Sequence, residues 1–269
     1  MMKPKLLLGL CAILALGVWA APAAADPTSG PPICSSAGTA RAGLYPNLTL
    51  TGNNYVKAGT TLTVWGNLDL APGACLDAYS TGTVKVGSNL QVGKDAILGL
   101  GCAPEVDFEA KPCGSTTTND TIGGNLLALD PYTMYLTADT INGNLISVGG
   151  GPGPAPFVNF PIKDMVIHGD ALISGWNGGW FGFLRNTVSG NVVVTNNHAS
   201  DPDANEVVTN TIRRNLLCYG NSPAVQFGDS GGSPNKVSGF AFGECGFNVI
   251  LPDENYDGGK PQPISVRAH

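Results

Sequence analysis

Charged residues make up only 13% of the chain, histidine occurs three times, and no C-x-x-C pair is present. That shortage argues against a structural zinc site, which needs several such ligands at short spacing. No phosphate-binding loop, dinucleotide fingerprint or zinc-protease helix can be found, and nothing in the sequence asks for a cofactor. No amphipathic helix of four turns can be drawn. Beyond the N-terminal leader no apolar run is long enough to cross a bilayer. Basic residues are also few: once Lys3 and Lys5 are set aside, 12 remain against 20 acidic ones, a net charge of −8. Such a chain lacks the electrostatic footprint for nucleic acid or an anionic membrane, and is a poor unaided partner for acidic polysaccharides. Glycine, by contrast, is abundant at 37 residues, and hydrophobic content is an ordinary 43%. Many tight turns around a real core fit that combination; disorder does not.

Residues 1–25 read as a secretory signal peptide. Lys3 and Lys5 start it, Leu6 to Ala21 form a short apolar run, and Ala23-Ala24-Ala25 offers a small-residue cleavage site before Asp26. Cys11 follows Leu8-Gly9-Leu10, a poor lipid-attachment signal, so release is preferred to a lipid anchor. The expected location is therefore secreted or extracellular. Cleavage leaves 244 of the 269 residues, enough for one large all-β domain or two small ones. It also leaves Cys34, Cys75, Cys102, Cys113, Cys218 and Cys245. An even count in an exported chain reads as three disulfides, with fifteen possible connectivities. The pairing expected is Cys34–Cys75, Cys102–Cys113 and Cys218–Cys245. Closing the last loop would contribute about 3–4 kcal/mol on the chain-entropy model.

One motif recurs: apolar, any, small, Asn, apolar, any, usually apolar. It reads VWGNLDL from Val64, VGSNLQV from Val86, IGGNLLA from Ile122 and INGNLIS from Ile141. It continues as IHGDALI from Ile167, VSGNVVV from Val188 and IRRNLLC from Ile212, with a decayed copy, VSGFAFG, from Val237. The Asn or Asp column falls on Asn67, Asn89, Asn125, Asn144, Asp170, Asn191 and Asn215, in steps of 22, 36, 19, 26, 21 and 24 residues. The long step holds the Cys102–Cys113 segment, so a loop is inserted there. The other steps match the coil length of a β-solenoid.

The even spacing of Val64, Leu68 and Leu70 lets a strand bent at its middle aim all three inward. Gly and Asn suit that bend because both tolerate the left-handed backbone region. Stacked coils would align the Asn side chains so that they bond along the column. These features predict a right-handed parallel β-helix of about eight coils over 46–251. Residues 26–45 read as a loose or capping lead-in and 252–269 as a polar C-terminal tail. Residues 150–161 read as a loop extruded between coils. The runner-up is an antiparallel β-sandwich, which needs turns every 8–12 residues and no Gly-Asn column.

The repeats, with the run NTIRRNLLCYGNSPAVQFGDSGGSPNKVSGFAFGEC from Asn210 to Cys245, resemble those of secreted bacterial β-helix proteins, nearest to uncharacterised exported actinobacterial ones. The likeness is clearest over 120–248, and the first coils also resemble the bactofilin type. It implies a fold and no reaction. The pectate-lyase-like enzymes of this fold have catalytic signatures that cannot be mapped onto this chain.

Candidate chemistry divides four ways. GDSGGSP, Gly228 to Pro234, resembles the nucleophile loop of chymotrypsin-like proteases with Ser230 in the nucleophile place. Neither His168 nor His198 sits in a matching context, and the motif falls where a turn is due, so the turn reading is preferred. Asp201, Asp203 and Glu206 offer oxygen ligands for calcium, without the ligand count of an EF-hand; solvated carboxylates are the preferred reading. Asp164, Asp170, Asp201, Asp229 and Glu244 supply carboxylates from which neighbouring coils could assemble a glycosidase pair, though nothing singles one out. The segment WNGGWFGF concentrates Trp176, Trp180, Phe181 and Phe183, a possible stacking platform for sugar rings, against the alternative that the rings fill the core.

The expectation is a non-catalytic binding, adhesion or structural protein of the cell envelope, with carbohydrate or an envelope component as partner. The alternative is a polysaccharide lyase or glycoside hydrolase, which rests on fold analogy. Ligand, oligomeric state and wall association are not legible in the sequence.

Overall fold

The computed structural model describes residues 34, 38–79, 81–102, 119–202, 204–226 and 233–246. Residues 1–25, read above as a signal peptide, lie outside them, as do Cys113, Asp203, Asp229, Ser230 and residues 252–269, read above as a tail. The described chain is all-β, with one 3-10 turn at Glu244–Gly246. It winds as a parallel β-solenoid of about eight coils.

Each full coil lays one strand on each of three sheets. Sheet 1 has eight strands, from Thr39–Ala40 to Glu206–Val208. Sheet 2 has nine, from Gly43–Tyr45 to Lys236–Val237, and sheet 3 has nine, from Leu48–Leu50 to Ala241–Gly243. Within each sheet the strands pair in parallel and in coil order. That excludes the antiparallel sandwich, whose neighbours would run in opposite directions. Residues 39–45 already pair as strands, so the first coil begins inside the stretch read as a lead-in. Residues 159–161 belong to the strand Asn159–Lys163, which shortens the extruded loop.

The repeat motif spans the corner between sheets 2 and 3. Val64, Leu68 and Leu70 all point inward and are at most 2% exposed. Equivalent residues stack above them, with Val86, Ile122, Ile141, Ile167, Val188 and Ile212 forming one column of the core on sheet 2. β-branched side chains suit this pleated, fully covered surface, and each large one contributes about 1.5–3 kcal/mol on burial. Asn89 and Asn125 head adjacent coils, since Leu90 pairs with Leu126. The long repeat step is therefore an insertion between Gly101 and Thr121, on the way from sheet 1 to sheet 2.

The Asn column forms a hydrogen-bonded ladder. The Asn47 Oδ1 accepts the Asn67 N–H at 2.8 Å, and the same contact repeats to Asn89 (3.2 Å), Asn125 (2.9 Å) and Asn144 (2.8 Å). It continues through Asp170 (2.8 Å), Asn191 (2.6 Å) and Asn215 (3.3 Å), and ends on the Phe240 N–H at 3.0 Å. The glycine that precedes five of the seven column residues is favoured for a reason other than the one expected. Gly143, Gly169 and Gly190 do not adopt positive φ. A Cβ at Gly143 would instead stand 2.5 Å from Asn125 Oδ1 and 2.7 Å from the Gly124 carbonyl. Close stacking at these glycine levels leaves no room for a methyl without a shift, whereas Ser88 and Arg214 carry side chains at the equivalent position of their own coils. Left-handed residues occupy the other two corners, at Ala138, Asp164, Arg185 and Thr209 after sheet 1 and at Asp130 and Asn196 after sheet 3.

Cys34–Cys75 and Cys218–Cys245 are both disulfide-bonded as expected. Cys102 is also in a disulfide, and its expected partner Cys113 lies outside the described residues.

Candidate functional site

Of the four aromatics considered as a platform, none is displayed. Phe181 and Phe183 are two apart on the sheet 1 strand Trp180–Leu184, so both point into the core and are fully buried. Phe181 packs on Phe160 at 5.6 Å between ring centroids, and the buried Trp176 meets the same ring at 5.5 Å. Trp180 faces outward but lies across Gly182, where any Cβ would collide with its ring. Its indole N–H donates to Glu206 Oε1 at 2.8 Å, Lys163 Nζ stands 5.0 Å from the ring centroid, and Leu184, Ala204 and Val208 close around it. The segment fills a core and seals the outside of sheet 1; the platform reading is corrected accordingly.

The acidic loop departs, at Glu206, from the preferred reading of solvated carboxylates. Glu206 is 1% exposed and serves as the acceptor for the Trp180 indole, so it is no solvated ligand. Asp201 is half-buried, and Asp203 lies outside the described residues. No three potential metal ligands converge among the described residues.

Three of the five carboxylates considered for paired catalysis are engaged one by one, while Asp229 lies outside the described residues. Asp164 holds the Arg185 guanidinium with two bonds of 2.7 Å. Asp170 is a rung of the Asn ladder. Glu244 closes a further ladder at the corner between sheets 3 and 1: its carboxylate accepts the Asn221 N–H, the Asn221 Nδ2 and the Val225 N–H. Asn221 in turn accepts from Asn197, and Asn197 from the Trp176 N–H. Ser230 lies outside the described residues. His168 follows the sheet 2 strand Val166–Ile167, while His198 follows the Asn197 corner. Both are exposed and belong to different corners, so they do not converge. Arg213 and Arg214 are exposed corner residues.

A third ladder, inside the corner between sheets 1 and 2, was not anticipated. Asn186, Asn210 and Asn235 each accept a backbone N–H from the coil before, at 2.9, 2.8 and 3.0 Å. Each also donates its Nδ2 to a sheet 1 carbonyl, those of Ile162, Phe183 and Val207. Two aspartates continue the column: Asp120 accepts from Val84 and Gly101, and Asp139 Oδ1 accepts the Asp120 N–H at 3.1 Å. Burial, reinforced by the Asp120 charge, raises the Asp139 carboxyl well above the usual carboxylate range. Outside this corner, Tyr79 and Tyr135 pack edge to face, and burial pushes the Tyr79 hydroxyl up to about 12. The sequence carried a signal for this ladder: Asp120-Thr121-Ile122, Asp139-Thr140-Ile141, Asn186-Thr187-Val188 and Asn210-Thr211-Ile212 are copies of one tripeptide.

Two outer surfaces remain. Sheet 2 presents a register-aligned column of Thr63, Lys85, Thr121, Thr140, Val166, Thr187, Thr211 and Lys236, all half-buried or exposed. Sheet 3 carries a shallow groove of about 350 Å³ lined by Asn144, Ile146, Asp170, Leu172, Asn191, Val193 and Leu217. Comparison with protein-family models, curated proteins and solved structures finds no match.

Proposed function

We propose that this chain is an exported solenoid whose long outer surface binds a neutral, hydroxyl-rich polymer of the cell envelope, without cleaving it. The observation that carries this reading is the outward column of sheet 2. Five threonines in nine positions line it, with Leu44 heading the column, which runs the length of the solenoid at roughly 4.8 Å per coil. A straight file of hydroxyl donors and acceptors matches an extended carbohydrate chain lying along the axis. Lys85 near one end, Lys236 at the other and an acidic remainder give no continuous field of either sign, which suits an uncharged polymer.

A lyase or hydrolase needs carboxylates, or a carboxylate and a base, converging on a groove. Asp164, Asp170 and Glu244 hold coils together instead, so catalysis has no set to work with among the described residues. Secretion fits the two disulfides between described cysteines and the N-terminal leader.

Binding on a glycan array, paired with digestion assays on the same polymers, tests the reading. Wild type is expected to be retained by at least one neutral polysaccharide and to release no oligosaccharide. Thr140→Val with Thr187→Val, which keeps shape and removes hydroxyls, is expected to weaken retention at least tenfold. Cleavage of any polymer, or retention unchanged in the double variant, would overturn it.

A further inference from the structure

The three outer surfaces of the solenoid are treated unequally. Sheet 1 is sealed on its outside by Trp180 with Leu184, Ala204 and Val208. Sheet 2 shows hydroxyls and lysines. Sheet 3 shows hydrocarbon: Leu127, Ile146, Leu172, Val193, Leu217 and Phe242 stand in register on six consecutive coils, all pointing outward. The neighbouring outward column adds Leu129 (52% exposed), Val148 (41%) and Tyr219 (54%), with Ser174 and Thr195 between them bonded to each other at 3.1 Å. Over these six coils neither column holds a charged residue; toward the N-terminal end the first of them turns polar, at Gln91 and Asp69. Parallel sheets are ordinarily covered on both faces, and a flat uncovered apolar face invites association.

We infer that a second copy of this chain covers sheet 3, making the protein a two-fold dimer packed sheet against sheet. Size supports this occupant. Six strands span roughly 29 Å, and two outward columns with their side chains are about 13 Å wide. That footprint is about 400 Å² in projection, and roughly 700 Å² with side-chain relief and the rim at Phe240, close to the about 800 Å² per partner of a standard interface. Self-complementarity supports it too. A two-fold axis between Leu172 and Val193 sets these two against each other, Ile146 against Leu217 of the other copy, and Leu127 against Phe242. Each small or medium side chain meets a medium or large one, as an isologous contact requires. The remaining 23 residues of the chain, 247–269, fit the face less well. Their aliphatic side chains lie in two groups, Val249 to Leu251 and Ile264 to Val266, separated by the polar stretch PDENYDGGKPQP. They cannot match six evenly spaced rows. The inference is independent of the glycan reading, which uses sheet 2.

Sedimentation of the full chain across a wide concentration series tests it. The expected result is twice the 27.6 kDa of the full sequence, less the leader in each copy if that is removed. Leu172→Thr with Val193→Thr places β-branched, sheet-compatible side chains at both positions and is expected to weaken self-association at least tenfold, with far-ultraviolet dichroism unchanged. Leu172→Glu with Val193→Glu is expected to abolish it. Thr187→Glu, on sheet 2, is expected to leave the dimer intact. A wild type that stays monomeric at every concentration, or a dimer indifferent to both sheet 3 variants, would overturn the inference. So would a monomer in which chemical cross-linking joins Lys260 to the sheet 3 rim, since that names the tail as the cover.

Discussion

Replacing Asp139 by Asn is expected to make the protein more stable, and increasingly so as pH rises. In the interior ladder, Asn186, Asn210 and Asn235 each do two things: an oxygen accepts from the coil before, and the Nδ2 donates to a sheet 1 carbonyl at 2.9, 2.7 and 2.7 Å. Asp139 does only the first. Its Oδ2 is buried with no hydrogen-bond partner. By register the carbonyl at that level is that of Leu100, which pairs with Leu136 as Ile162 pairs with Phe183. An amide at position 139 completes the pattern, and supplying a partner to one buried polar group is worth about 1–3 kcal/mol. The sign with pH follows from the raised carboxyl. The folded state holds the neutral acid more tightly than the unfolded chain does. That contribution is fully present below the ordinary carboxylate range and is lost as pH rises through the raised folded value. Urea midpoints of wild type and Asp139→Asn, taken at steps from about pH 5 to pH 9 with the disulfides intact, measure both effects. The wild-type midpoint is expected to fall with pH relative to the variant, which lacks this titration. A variant less stable than wild type at alkaline pH, or a difference that does not change with pH, would refute the reasoning.

Other substitutions probe separate contacts. Trp176→Phe removes a buried indole N–H that has no partner and is expected to change stability little or to raise it, whereas Trp176→Ala is expected to cost about 3–5 kcal/mol in urea unfolding. Asn210→Leu orphans the Asn186 N–H and the Phe183 carbonyl and is expected to cost about 2–4 kcal/mol; Asn144→Ala, on the outer ladder, about 1 kcal/mol. Gly182→Ala places a methyl where the Trp180 ring lies, so its fluorescence is expected to shift toward that of exposed indole, with the indole–Glu206 bond lost.

The architecture was legible because its signal repeats. Gly-Asn recurs at coil length, and stacking turns each copy into a rung whose side chain and backbone serve neighbouring coils. Two of the three expected disulfides are present, although spacing alone left fifteen connectivities open. What escaped was sidedness. The WNGGWFGF segment reads as displayed or buried with equal ease, because an alternation of large side chains and glycine fits both faces of a sheet. Only the partners decide it: Phe160 above Phe181, and Glu206 beside Trp180. Glu206 misled for the same reason, since an acid in a turn-rich stretch gives no hint of the indole it faces. The interior ladder had a legible tripeptide, [DN]-T-[IV], overshadowed by the stronger Gly-Asn copies three residues later. The reading of the Gly as a left-handed residue failed because the constraint is intercoil contact, which no single coil reveals.

Hydrogen exchange at the outer corner tests the stacked-coil account most directly. The backbone amides of Asn89, Asn125, Asn144 and Asn191 sit in turns, yet each donates to the side-chain oxygen of the preceding rung. They are expected to exchange as slowly as amides within the sheets, all four together. Exchange at the rate of free turn amides would mean that the rungs are not aligned and that the coils do not stack in this register.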